Sequence, residues 1–306
     1  MAFPDRPGRR VSRAAPYAFL APAMLLFAAA LAAPIAYSIY LSFRRMHVEG
    51  LGLSPDATQE VWVGLANYRD ALTDPAFVSS ALRVLLYGAV LVPTMLGLAL
   101  TFALLLDSRR ARARTFSRTA IFLPYAVPAV VASLLWGFLY LPDVSPFTDV
   151  LTGLGLPAPE MMSSDLILFA VANIGLWGGV GFNMIVLFTS LRAIPTELYE
   201  AARMDGAGEV SIALRIKVPI VLPTLIMTVI FSLIATLQVF AEPVTLRPLT
   251  NNISTTWTPL MKVFRDAFTR GDIYSASATS VVIALVTFVF SFGVLKFVGR
   301  RAFNEG

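Results

Sequence analysis

The chain has 306 residues, of which 57% are hydrophobic and only 14% charged, and its mean hydropathy of +0.73 comes from long apolar runs and not from alternation. That excludes an ordinary soluble domain and predicts an all-α membrane protein with several spans. With no cysteine and one histidine, disulfides and thiol chemistry are excluded and a Cys/His metal site nearly so, while the net charge of +5 matters through its distribution between loops and does not point to nucleic acid.

Six apolar runs reach the roughly 20 helical residues needed to cross a hydrocarbon layer about 30 Å thick. They lie at residues 15–43, 77–106, 119–140, 166–191, 220–246 and 275–298. The first follows "RRVSRAAPYAFLAP", whose paired arginines also fit a twin-arginine export signal with "LAA" as a weak cleavage site. Its apolar stretch is far longer than a signal's core and ends in Tyr37 and Tyr40, which suit a membrane interface, so an uncleaved span is expected. The runs divide the chain into three parts. Residues 1–76 are an N-terminal tail, the first helix and the first outer loop; 77–298 are a five-helix core that includes a charged loop at 193–219; 299–306 are a short tail.

The basic residues sort by loop. Arg6, Arg9, Arg10 and Arg13 precede the first run; Arg109, Arg110, Arg112, Arg114 and Arg118 follow the second; Arg192, Arg203, Arg215 and Lys217 follow the fourth; Lys296, Arg300 and Arg301 close the chain. The alternate loops hold only Arg44, Arg45, Arg69, Arg247, Lys262, Arg265 and Arg270, and "LPDVSPFTDVLTGLGLPAPEMMSSD" holds none. By the positive-inside rule both termini and the charged loop are expected in the cytoplasm, with Arg83 near the outer end of the second span, where it can snorkel. Arg44 and Arg45 alone run against the rule, and His47 carries no role.

The stretch "IPTELYEAARMDGAGEVSIALRIKVP", Ile194 to Pro219, holds four acids and three bases between two apolar runs. Pro195 suits the first turn of a helix, "TELYEAARMD" forms helix readily, and Gly206 suits a C-terminal cap. A second short helix, "EVSIALRIKV", is expected to stop at Pro219. Leu198, Ala201, Ala202 and Asp205 share one face of the first helix, and Val210, Ala213 and Leu214 form a small apolar stripe on the second. The segment reads either as a docking surface or as a solvated linker held by pairs such as Glu200 with Arg203.

Its spacing carries a resemblance. Glu200, Ala201 and Ala202, then Gly206, then Ile216, Val218 and Pro219 resemble the cytoplasmic EAA loop of permease subunits in ATP-binding-cassette importers, with only Val218 departing from the leucine of that pattern. The resemblance runs along nearly the whole chain toward the maltose and glycerol-3-phosphate permease subfamily, through "FLAPAMLLFAAALAAPIAYSIYLSF", "VGLANYRDALTDPAF", "ARTFSRTAIFLPYAVPAVVASLLWGFLY" and "FRDAFTRGDIYSASATSVVI". Such permeases often carry a "TGGGP" turn after the fifth span, where this chain reads "VTLRPLTNNISTT"; the departure bears on the solute and not on the class.

The resemblance implies a type I importer permease fold of six transmembrane helices with cytoplasmic coupling helices, in the prokaryotic inner membrane. It implies no catalysis and no bound cofactor in this chain, ATP and Mg being held by a separate ATPase dimer docked on the EAA loop. By analogy Glu200 bonds polar groups at the rim of the ATPase groove, Ala201 and Ala202 permit close packing and Gly206 makes the turn. A second permease chain, related but different, and an extracytoplasmic solute-binding protein are the other implied partners. The implied solute is a sugar, oligosaccharide or glycerol-phosphate compound, with a non-sugar polar solute as the alternative. The sequence agrees in having no G-x-x-x-x-G-K-[ST] phosphate loop.

Polar residues inside spans mark the candidate path, because unpaired polar groups are costly in hydrocarbon. They are Tyr125 and Trp136 in the third span, Asn173, Trp177 and Asn183 in the fourth, and Gln238 and Glu242 in the fifth. Hydrogen bonding between helices explains Asn173 and Asn183 more simply than ligand contact does. Gln238 and Phe240, at the level where the family's fifth span lines the sugar site, pair an amide with an aromatic face, which suits sugar hydroxyls and an apolar ring face. Glu242 belongs either to the cavity mouth or to the outer interface. A secondary transporter would want midplane ionisable residues and an internal repeat, and a membrane enzyme would want clustered carboxylates or H-E-x-x-H; the sequence offers none of these.

Overall fold

The computed structural model describes residues 15–48, 58–108 and 111–303; Arg6, Arg9, Arg10, Arg13, Arg109 and Arg110 of the charge pattern lie outside them. Among the described residues five helices are long and apolar enough to span a membrane, and a pair bent at a short break is the sixth when its two pieces are counted as one span. At the centre, helices Pro75–Asp107 and Ile167–Arg192 pack side by side. The first of these is started by Asp74, whose carboxylate accepts from the Ala76 N–H at 2.8 Å, with Pro75 following it in the first turn. Its 33 residues rise about 50 Å, more than a hydrocarbon layer requires. The molecule is described below with residues 107–108, 111–114 and 192–217 at its lower end and residues 42–48, 58–74, 141–166 and 247–272 at its upper end.

The third span, expected as one helix over 119–140, is two pieces, Arg114–Ala126 and Ala129–Tyr140, bent by 97°. The cause is local. Pro128 removes an N–H and drives Val127 into the extended region, at ψ 127°, so the ladder cannot continue. The lower piece lies directly on the fourth span at Gly181, where a Cβ would stand 2.2 Å from the Ile121 carbonyl oxygen and 2.7 Å from the Phe122 Cα.

The fifth span also differs from expectation. Pro219 does not stop the short helix before it. Helix Glu209–Ile212 passes through a π-turn at Ala213–Lys217 into Val218–Leu237 without a gap, Val218 N–H reaching back to the Ala213 carbonyl. The wider turn places Pro219 in the first turn of the following helix, where its missing N–H is tolerated. The helix then breaks at Gln238–Phe240 and resumes as Ala241–Leu246, so the run expected over 220–246 is interrupted near its far end.

The last helix, Ile273–Phe303, packs against Ala33–Ser42 of the first span, Tyr17–Ser42. Residues 17–37 of that first span are exposed on all sides. At the upper end, the described residues include a small antiparallel strand pair, Arg44–Val48 with Thr58–Trp62. Buried Asn67 fixes it, donating to the Ser42 and Arg44 carbonyls at 2.9 and 2.6 Å and accepting from Arg45 at 2.9 Å. Arg45 pairs with Asp70, and the Arg44 guanidinium lies 4.8 Å from the Tyr40 ring centroid, so the two arginines that broke the charge rule have local partners.

Two apolar cores hold the bundle. One joins Val84–Met95 to the fourth span and to Val239–Met261; the other joins Ala99, Ala103 and Leu106 to Met184, Leu187, Leu191, Tyr199 and Ile212 at the lower end.

Candidate functional site

Both helix breaks open onto one cavity of about 560 Å³ at mid-depth, a volume within the range of small-ligand sites. The second span supplies Tyr87, Leu91 and Met95; the fourth supplies Phe182 and Asn183; the bend of the third supplies Tyr125; the fifth supplies Ser232, Thr236, Gln238, Phe240 and Glu242. Non-helical backbone at this depth is tolerated only where it is buried in protein or lines a cavity, which explains why the breaks fall here.

The cavity offers flat apolar faces and polar atoms together. Tyr125 stacks on Phe182 with ring centroids 4.9 Å apart, and Phe240 packs on Phe264 at 5.6 Å. Asn183 donates to the Gly179 carbonyl at 3.0 Å and lies 3.7 Å from the Met95 sulfur. Among the described residues the Gln238 amide is bonded to no other residue. The same holds for Glu242, whose carboxylate accepts only from its own backbone N–H.

The expected path residues therefore divide. Tyr125, Asn183, Gln238, Phe240 and Glu242 come together at the cavity, and Glu242 lies in its wall, not at an outer interface. Asn173, Trp136 and Trp177 do not join its lining. Asn173 donates to the Tyr140 hydroxyl at 2.9 Å, which donates to the Ala170 carbonyl at 3.0 Å, while Trp136 packs on Tyr140 and meets Trp177 edge-on at 6.1 Å. Tyr87, Ser232 and Thr236 were not anticipated. A tyrosine in the middle of "RVLLYGAVLV" was a legible signal, but Thr236 bonds the Ser232 carbonyl of its own helix at 2.7 Å, as hydroxyls in any apolar helix do.

At the lower end, helix Thr196–Met204 is followed by a turn and by Glu209–Ile212. Gly206 stands at φ +83°, in the left-handed region, and Ala207 N–H to the Ala202 carbonyl at 2.9 Å with Gly206 N–H to the Arg203 carbonyl at 3.0 Å closes a Schellman cap. Arg203 bonds Glu209 across the turn at 3.1 Å. Leu198, Ala201, Met204, Val210 and Leu214 are exposed, Met204 to 88% and Val210 to 73%, so both short helices turn apolar side chains outward. Glu200 and Gly206 are exposed beside them. Ala202 and Ile216 instead pack inward against the lower core, half-buried Val218 and exposed Pro219 opening the long helix.

The lower end is tied to the bundle by an ion pair that sequence reading missed. Lys217 Nζ bonds the Asp107 carboxylate at 2.6 Å and lies 4.9 Å from the Tyr199 ring centroid, Lys217 being 4% exposed. Burial pushes the Tyr199 phenol above its usual range, and the Asp107 carboxylate adds to it. At the upper end Lys262, also buried, bonds Asp266 at 2.7 Å and Asp74 at 3.2 Å. Burial raises the Asp74 carboxyl, but the Ala76 N–H, Lys262 and Arg265 outweigh that and hold it below the usual carboxylate range. Arg83 does not snorkel; it donates to the Trp257 carbonyl at 2.8 Å and lies over that ring, pinning the loop after the fifth span. That loop, where the TGGGP turn is missing, is further held by Thr250 and Asn252, both donating to the Met162 carbonyl.

A bundle of six spans with a mid-depth cavity between broken helices, and a capped helix–turn–helix at one end, is the membrane-spanning permease of a type I ATP-binding-cassette importer. The chain belongs to the family described as binding-protein-dependent transport system inner membrane component, whose model matches residues 95–303. It is 31% identical to a diacetylchitobiose uptake system permease protein of Streptomyces coelicolor, over 83% of this chain and 74% of that protein. It is 29% identical to a probable ABC transporter permease protein of Bacillus subtilis, over 92% and 95%. An sn-glycerol-3-phosphate transport system permease protein of Yersinia pseudotuberculosis is 27% identical, over 97% and 98%. In fold it matches a chain of a bacterial alginate ABC transporter, solved with its alginate-bound periplasmic protein, at a TM-score of 0.82 and 19% identity, covering 97% of this chain and 99% of that one.

Proposed function

We propose that this permease forms half of the channel through which an importer moves a sugar or oligosaccharide, driven by a separate ATPase dimer that holds the ATP and Mg. The observation that carries the solute class is the cavity. It sets an unbonded amide at Gln238 beside the aromatic faces of Tyr125 and Phe240, and hydroxyls with an apolar ring face are what that combination recognises. The diacetylchitobiose and alginate systems among the similar proteins support the same class.

The outward apolar face of the two short helices, with Glu200 and Ala201 beside it, is the seat for the ATPase. The exposed first span is covered by a second permease chain, and a solute-binding protein docks at the upper end. This sets the helix–turn–helix and both termini in the cytoplasm, in agreement with the basic residues of the lower loops. Closure of the ATPase on nucleotide displaces the short helices, and the long fifth helix, continuous with the second of them, carries that displacement to the cavity wall. Access alternates because the two states differ in affinity for nucleotide below and solute above. Replacing Gln238 by Leu removes the amide while keeping a similar side-chain volume; uptake of labelled disaccharides into vesicles should fall while the complex still assembles. Unaltered uptake of every disaccharide tried would remove Gln238 from the site.

A further inference from the structure

The cavity has an electrostatic asymmetry that the names of similar proteins do not predict. Among the described residues lining it there is no lysine, arginine or histidine, and the one carboxyl group is that of Glu242. No counter-ion from any described residue reaches that carboxylate, which accepts only its own backbone N–H. Elsewhere the protein treats buried carboxylates differently: Asp107 has Lys217, and Asp266 has Lys262 and Arg265. A carboxylate set in a low-dielectric wall without a counter-charge is costly, and a solute that brings a cation or a strong donor offsets that cost, while one that brings an anion adds short-range repulsion with little screening.

We propose that the cavity selects its cargo by charge at Glu242, accepting a saccharide that places an amine beside this carboxylate and rejecting phosphorylated and uronic saccharides. The inference rests on the sugar reading above. It separates this chain from the sn-glycerol-3-phosphate and alginate systems it is similar to, whose named solutes are anionic. The sugar ring lies on Tyr125 and Phe240, Gln238 takes hydroxyls, and the amine faces Glu242.

The test is equilibrium dialysis at neutral pH of the complex purified through a tag on this chain, with the subunits it retains and no binding protein. The labelled probes are the glucosamine disaccharide, its N-acetylated form, digalacturonate and sn-glycerol-3-phosphate. The glucosamine disaccharide should bind about tenfold or more tighter than either anion, with the N-acetylated form between. Glu242→Asp should keep this order, and Glu242→Gln should compress it to about threefold or less. Equal or tighter binding of an anion by the wild type, or full discrimination surviving in Glu242→Gln, overturns the assignment and leaves the sugar reading standing. Failure of the wild type to bind any saccharide overturns the sugar reading and this inference with it.

Discussion

Lys217 and Asp107 lie 110 positions apart in sequence and 2.6 Å apart in the fold, where they join the helix–turn–helix to the end of the second span. Both side chains are almost wholly buried, so removing one leaves a charge without its partner. Lys217→Met should therefore cost about 3–5 kcal/mol, whereas Asp107→Leu combined with Lys217→Met, which leaves two apolar groups in contact, should recover most of that loss. Thermal unfolding of the purified complex in detergent measures both; equal stability of the single and double variants would show that the unpaired charge carries no penalty. Nothing in the sequence announces this pair. A lysine in "LRIKVP" reads as one more base in a charged loop, and only the fold brings it to an aspartate that closes another helix. Gly206 was legible for the opposite reason: a helix-forming run ended by glycine has a local cause, and the φ of +83° follows from it.

The spans show the same division between local and distant causes. Hydropathy located all six, because an apolar run of sufficient length has few other uses, but it averages over the breaks that give the protein its cavity. The bend at Val127–Pro128 was readable from "LPYAVPAV" and was absorbed into an expected straight helix. The break at Gln238–Phe240 has no proline within it, but Pro243 follows in the first turn of Ala241–Leu246, where it has no N–H to carry the ladder back to Val239. Pro219 looked like a stop and is a start, since the π-turn before it removes the conflict. The bent third span stays on the fourth through a contact that no side chain can enter. Gly181→Val should force backbone against backbone at Ile121 and Phe122, costing about 1–3 kcal/mol as an overpacked core does, with Gly181→Ala milder in the same direction. A melting temperature for Gly181→Val equal to the wild type would mean that the two helices separate freely.

Across the whole molecule, the cavity and the outward apolar face of the two short helices sit at different depths and are joined by one continuous helical path from Glu209 to Leu237, with the Asp107–Lys217 pair fastening its lower end to the second span. The central claim is that the helix–turn–helix transmits force and is not a tether. Gly206 tests it, because a Cβ there meets nothing within 4 Å, so a substitution acts only through the positive φ. Valine should strain the turn by about 1 kcal/mol or more and misalign the two short helices, whereas asparagine, which enters the left-handed region readily, should not. The measurement is solute uptake, together with the ATPase retained, by vesicles carrying Gly206→Val beside Gly206→Asn at equal permease levels. Uptake and retained ATPase lost in the valine variant and kept in the asparagine variant is the predicted result; normal uptake with a normally bound ATPase in both would contradict it.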